Sequence, residues 1–145
     1  MIVEARFEVT RTPDEVFEIL ADPSAWFGFD PALVEVEPRG PMVAGVTGTM
    51  RRRAGLGLTV KTRWANTVFV PGSRLENLIT GFGYELRETI DIAAQSTGTS
   101  LTVVDTIVPT SLIGRAMVAA SRGIIARDID RRFGGLKSRL DAGSG

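Results

Sequence analysis

The chemistry open to this chain narrows quickly to two acids. Its 145 residues include no histidine and no cysteine. That removes serine–histidine triads, thiolate nucleophiles, disulfides and metal sites built on those ligands. Acid–base work falls to carboxylates, arginine, lysine, tyrosine, hydroxyls or backbone amides. Glu88 and Asp105 are the informative carboxylates. A four-residue turn at Gln95–Gly98 sets Ile92 opposite Leu101, Ile90 opposite Val103, Glu88 opposite Asp105 and Leu86 opposite Ile107. Apolar residues then meet apolar residues, and the two acids face each other with β-carbons about 5 Å apart. In a low dielectric two carboxylates that close do not both ionise cheaply, so one is expected to hold a proton. Such a pair can act as acid and base in enolisation, aldol cyclisation or dehydration of a poly-carbonyl compound. Two other readings stay open. An arginine neutralises the pair and makes it structural, with Arg127 or Arg131 expected within reach and Arg52 on the same face but strands away. Alternatively, the pair recognises a polar group on a ligand.

The elements that must position these acids follow from periodicity. Ile2 to Thr10 alternates as a half-buried strand, and Thr12-Pro13-Asp14-Glu15 opens a helix that runs to Ala21. Asp22-Pro23 ends it. Ser24 to Leu33 holds Trp26, Phe27 and Phe29 in one or two short turns, either as a core plug or as a pocket wall. Strand signals follow over Leu33–Glu37, Val43–Arg52, Leu58–Phe69, Arg74–Ile79, Tyr84–Ala94 and Thr99–Val108, separated by short turns. Six such strands predict an antiparallel meander. Loops at Thr80–Gly83, Val70–Ser73 and Arg53–Gly57 set Ile79 opposite Tyr84, Leu75 opposite Glu88, Val68 opposite Leu75, Asn66 opposite Asn77, Trp64 opposite Ile79, Met50 opposite Val60 and Arg52 opposite Leu58. Asn66 and Asn77 are expected to hydrogen-bond each other. One face of the sheet is then apolar, carrying Val46, Met50, Val60, Trp64, Leu75, Ile79, Leu86, Ile90, Ile92, Val103 and Ile107. Arg52, Thr62, Asn66, Asn77, Tyr84, Glu88 and Asp105 are its polar exceptions.

Ser111 to Leu140 reads as one long helix capped by Ser111. It bears two offset apolar stripes, Ile113–Met117–Ala120–Ile124 and Ile125–Ile129–Phe133–Leu136–Leu140. The second predicts core packing. The first, lined by small residues, predicts either close packing or the roof of a cavity.

Acids and bases balance at 17 each, which gives no bulk attraction to nucleic acid. The triplet Arg51-Arg52-Arg53 is expected to be a solvated hairpin end. The charged start does not read as a secretory signal, and no apolar run reaches the roughly 20 residues a spanning helix needs. A soluble, cytoplasmic protein without stable membrane insertion is expected. No metal or redox cofactor is implied, and nothing in the chain forbids a homodimer.

The opening ARFEVTRTPDEVFEILADPSAWFGFDPALVEVE, with this order of elements, resembles the START-like (SRPBCC) superfamily, nearest its polyketide cyclase/dehydrase and lipid-binding branch. The resemblance implies an α+β helix-grip fold. In it a curved seven-stranded antiparallel sheet wraps a long C-terminal helix, with two short helices between strands 1 and 2. One domain is expected over residues 1–142, with 143–145 as a disordered tail. The resemblance also implies a pocket between sheet and helix. Trp26, Phe27, Phe29, Trp64, Tyr84, Met117 and Ile124 would form its walls, and Glu88, Asp105 and Asn77 would orient a small hydrophobic ligand such as a lipid, polyketide or aromatic metabolite. The alternatives are a cyclase or dehydratase with Glu88 and Asp105 as acid and base, and a protein-interaction module with a filled core.

Overall fold

Alternating burial carries the first strand into the sheet. In the computed structural model, which describes residues 1–81 and 83–142, β1 spans Ile2–Val9, with Val3 and Val9 buried and Glu4, Arg6 and Glu8 turned away from the core. α1 (Pro13–Leu20) starts on Thr12, whose hydroxyl accepts from the Glu15 amide at 3.3 Å, with Pro13 in the first turn. α2 (Pro23–Trp26) is a single turn capped by Asp22. Then follow β2 (Leu33–Glu37), β3 (Thr47–Gly55), β4 (Leu58–Val70), β5 (Arg74–Gly81), β6 (Tyr84–Gln95) and β7 (Gly98–Pro109). They form one curved antiparallel sheet in the order β1-β7-β6-β5-β4-β3-β2. The meander is therefore complete, and β1 closes it beside β7. Phe82 and the expected tail at 143–145 lie outside the described residues.

The β6–β7 register is the expected one, with Glu88 opposite Asp105 and Leu86 opposite Ile107. Two other hairpins differ from expectation by two residues. Leu75 meets Ile90, not Glu88, and Ile79 meets Leu86, not Tyr84, because the turn after Gly81 is tighter than four residues. Met50 meets Thr62 and Arg52 meets Val60, because the hairpin turns on Leu56-Gly57. A slip of two leaves every side chain on its face, so the pattern alone does not detect it. Between β4 and β5, Trp64 meets Ile79 and Asn66 meets Asn77 as expected. A bulge after Asn66 then shifts Val68 to Glu76 and brings Phe69 to Leu75. Asn66 holds that bulge, donating to the Val68 and Glu76 carbonyls and to Asn77 Oδ1. Val60, expected on the covered face, is exposed together with the whole hairpin tip from Arg53 to Lys61.

The C-terminal segment is two helices, not one. α3 (Leu112–Ala120) begins on Ser111, whose Oγ accepts from the Gly114 amide at 2.9 Å. α4 (Arg122–Ala142) follows after a break at Ser121, where both amide and hydroxyl turn back to the Val118 carbonyl. A serine that satisfies its own backbone, next to Gly123, competes with helical continuation. α4 buries Ile129, Phe133, Leu136 and Leu140 against the sheet, and Phe133 stacks on Phe7 at 5.5 Å. α3 buries only Gly114 and Val118. A β-carbon at Gly114 would collide with the Gly83 carbonyl, so α3 sits hard on the β5–β6 turn. The stripe expected to face inward, Ile113, Met117, Ala120 and Ile124, is exposed.

Candidate ligand-binding site

Between the inner sheet face and α3–α4 lies a hollow of about 660 Å³. Its walls are mainly Leu, Ile, Met and aromatic side chains from α2, β3 to β7 and both helices. Trp26 and Trp64 meet edge to face at 5.5 Å. Their indole N–H groups donate to the Leu20 and Glu37 carbonyls, so both rings can offer apolar surface to the hollow. Phe29, Met50, Leu75, Ile79, Leu86, Ile107 and Phe133 continue the lining.

A chain of charges crosses this apolar space. Asp30, after α2, accepts from Arg52 of β3 at 2.9 Å. Arg52 donates to Asp128 of α4 at 2.8 Å. Asp128 accepts from Arg132 one turn later at 2.9 Å, and Arg132 grips Glu88 of β6 with two hydrogen bonds of 3.0 and 2.6 Å. Glu88 in turn accepts a hydrogen bond from its protonated neighbour Asp105 on β7. Four pieces of chain are thus tied across the hollow by partners of alternating sign, and β7 joins them through the acid–acid contact of Glu88 and Asp105.

The titration of these groups follows from their places. Burial would push Glu88 up, but the Arg132 guanidinium beside it prevails and holds the carboxyl below the ordinary glutamate value. Asp128 is likewise held low, by Arg132 and Arg52 against its burial. Asp105 has no cation of its own. Its burial, then the Glu88 charge and hydrogen bond, push it up to about 10, so it is a neutral acid at pH 7. It is 1% exposed, and its Oδ1 has no hydrogen-bond partner. Arg52 Nε is buried and unpartnered as well. Tyr84 is raised by burial.

Of the expected site residues, Trp26, Phe29, Trp64, Asn77, Tyr84, Met117, Ile124, Glu88 and Asp105 all line the hollow. Phe27 does not. Its ring lies away from the lining, 5.0 Å beneath the Arg39 guanidinium. The arginine that clamps Glu88 is Arg132, not Arg127 or Arg131, which also line the hollow without forming an ion pair among the described residues. One residue along a helix turns a side chain by about 100°, so placing α4 by counting through an unbroken helix misassigned the clamp. Asp30 and Asp128 were missed as well. The i,i+4 spacing of Asp128 and Arg132 was the available signal. No cluster of metal-ligating side chains occurs among the described residues, and no described helix is long and apolar enough to cross a membrane.

Comparison with known proteins agrees with this architecture. A family model described as "Polyketide cyclase / dehydrase and lipid transport" matches residues 1–141. No curated protein matches the sequence. A solved structure from Rhodobacter sphaeroides superposes with a TM-score of 0.78 at 17% identity, covering 97% of this chain and 92% of the other. One from Thermus thermophilus gives 0.76 at 16% identity, with full coverage of both chains. DynU16, from the dynemicin biosynthetic locus, gives 0.69 at 21% identity over 98% of this chain but 48% of its own. At these identities the structures attest the fold.

Proposed function

Given that the chain belongs to the polyketide cyclase / dehydrase and lipid transport family, we propose that it binds one small, predominantly apolar molecule carrying a hydroxyl or carbonyl oxygen, in the hollow between sheet and helices. Lipids, polyketides and aromatic metabolites meet this description. The observation that carries the reading is an apolar space of about 660 Å³ with two unpartnered polar atoms among its lining residues, Asp105 Oδ1 and Arg52 Nε. Small-molecule sites typically enclose roughly 300–1,000 Å³ and orient the ligand with a few such groups. Buried polar atoms without partners cost stability, and a ligand hydroxyl or carbonyl would supply them. A filled core would leave neither the space nor the orphaned atoms. Trp26, Phe29, Trp64, Tyr84, Met117 and Ile124 serve as walls in this reading, and Asn77, Glu88 and Asp105 as the polar side.

One observation favours a second reading, turnover of the same ligand class. The environments of Glu88 and Asp105 push their titrations apart, which is the arrangement of an acid–base pair. Asp105 would donate its proton to a ligand carbonyl oxygen while Glu88 takes a proton from the adjacent carbon, giving an enol. The Arg132 clamp makes Glu88 a weak base, and this tilts the balance toward binding.

Native mass spectrometry of the gently purified protein tests the binding reading. A bound neutral compound should appear as added mass that denaturation releases. A bare chain that also fails to enhance the fluorescence of the neutral probe N-phenyl-1-naphthylamine would overturn it. If a released compound is identified, its slow conversion by the wild type, lost in Glu88→Gln and Asp105→Asn while binding persists, would establish turnover.

A further inference from the structure

The mouth of the hollow mixes exposed apolar side chains with arginines. Its rim is the β3–β4 hairpin, through Arg53, Ala54 and Gly55, and the α3–α4 corner, through Met117, Ser121, Ile124, Arg127 and Arg131. Leu56, at the hairpin tip, is 99% exposed. It also sits at φ 52°, the one non-glycine residue with positive φ among the described residues. A two-residue turn of this kind favours asparagine or glycine at that position, and leucine gains nothing there from the fold. Across the mouth from the hairpin, Ile124 is 62% and Met117 44% exposed, while Leu112 and Ile113 stand exposed at the start of α3, outside the lining. An apolar helix covered on so narrow a stripe, opposite a leucine held out on a strained turn, is a surface built to meet something apolar.

Charge identifies what that is. Among the exposed residues that line the hollow, Arg53, Arg127 and Arg131 are cations and none is an acid. Arg115, Arg122, Arg127 and Arg131 are exposed and form no ion pair among the described residues. Asp128 faces Arg52 and Arg132, and Asp130 is the next exposed acid along α4. Protruding apolar side chains set among arginines match a bilayer surface bearing anionic headgroups, with leucine and isoleucine in the acyl boundary and guanidinium groups at the phosphates.

We infer that the hairpin tip and the α3–α4 corner dock this protein onto anionic membrane surfaces, with the mouth of the hollow turned toward the lipid. A hydrophobic ligand would then enter and leave without crossing water. Docking is peripheral and reversible, consistent with the absence of a spanning helix among the described residues.

Vesicle flotation tests it with the full chain. Wild type should float with vesicles of phosphatidylcholine and phosphatidylglycerol in equal parts, should not float with phosphatidylcholine alone, and should be released as salt rises. Leu56→Asn, which suits the turn and so preserves the fold, should weaken binding about tenfold or more. Arg115→Gln and Arg127→Gln should each weaken it about fivefold, and Arg87→Gln on the outer sheet face should not. The inference is overturned if wild type ignores anionic vesicles, if Leu56→Asn binds them as well as wild type, or if Arg87→Gln matches the rim variants. Self-association that Leu56→Asn abolishes, without vesicle binding, would overturn it in favour of a second copy of this chain. Binding of N-phenyl-1-naphthylamine without vesicles is measured alongside, so that a failed docking surface is distinguishable from a failed cavity.

Discussion

The two halves of the C-terminal segment share one apolar periodicity and have opposite fates. In α4, Ile129, Phe133, Leu136 and Leu140 are buried against the sheet. In α3 and the first turn of α4, Ile113, Met117 and Ile124 repeat at the same spacing and remain exposed, Met117 and Ile124 at the edge of the hollow. The difference lies in the opposing surface. α4 lies over the sheet and is pinned by the Asp128–Arg132–Glu88 chain. α3 touches the fold through Gly114 and Val118 at the β5–β6 turn and leaves the space beyond unfilled. Periodicity shows that a helix has an apolar side, not that the side is dry.

Breaking the pinned half should have the largest effect. Arg132→Ala leaves Glu88 and Asp128 buried against fewer cations, and should cost about 3–5 kcal/mol in urea unfolding. Phe133→Ala removes the ring stacked on Phe7 and should cost a similar ~3–5 kcal/mol. Ile124→Ala in the exposed half should stay within about 0.5 kcal/mol. Comparable losses at Ile124 and Phe133 would erase the contrast.

The neutral acid sets the next effect, through pH. Asp105 titrates near 10 in the folded chain and near 3.9 when unfolded. The stability associated with its proton is therefore complete below about pH 4 and declines as pH rises toward about 10, by at most roughly 1.4 kcal/mol per pH unit. Glu88 and Asp128, held low, act in the opposite sense: their contribution is present above the unfolded value and lost as pH falls through their folded titrations. Asp105→Asn should remove the alkaline decline, and it should raise the melting temperature more at about pH 9 than at about pH 5. Parallel wild-type and variant curves would mean that Asp105 is ionised in the native protein. The smallest effect is expected at the rim. Leu56→Asn relieves a left-handed leucine and should stabilise by a few tenths of a kcal/mol.

How much was legible from sequence follows the same division. The β6–β7 pairing could be read because turn and apolar pattern agree on one register, and it placed Glu88 beside Asp105 without coordinates. The β3–β4 and β5–β6 turns were misjudged by two residues, a slip that changes partners but not faces. Arg132 was hidden by helix phase: the break at Ser121 could not be seen, and a single residue separates it from Arg131. Leu56 passed as one more residue of the expected Arg53–Gly57 loop, because neither its φ nor its exposure is written in residue type.

The central claim is that the hollow beneath α3 and α4 receives an apolar guest. Filling it tests this most directly, by titrating N-phenyl-1-naphthylamine into wild type and Leu86→Trp, whose indole would occupy the space lined by Leu86. Saturable binding of one probe per chain, abolished in Leu86→Trp while its urea midpoint holds, is the predicted result. Equal binding by both proteins, or none by either, would contradict the account.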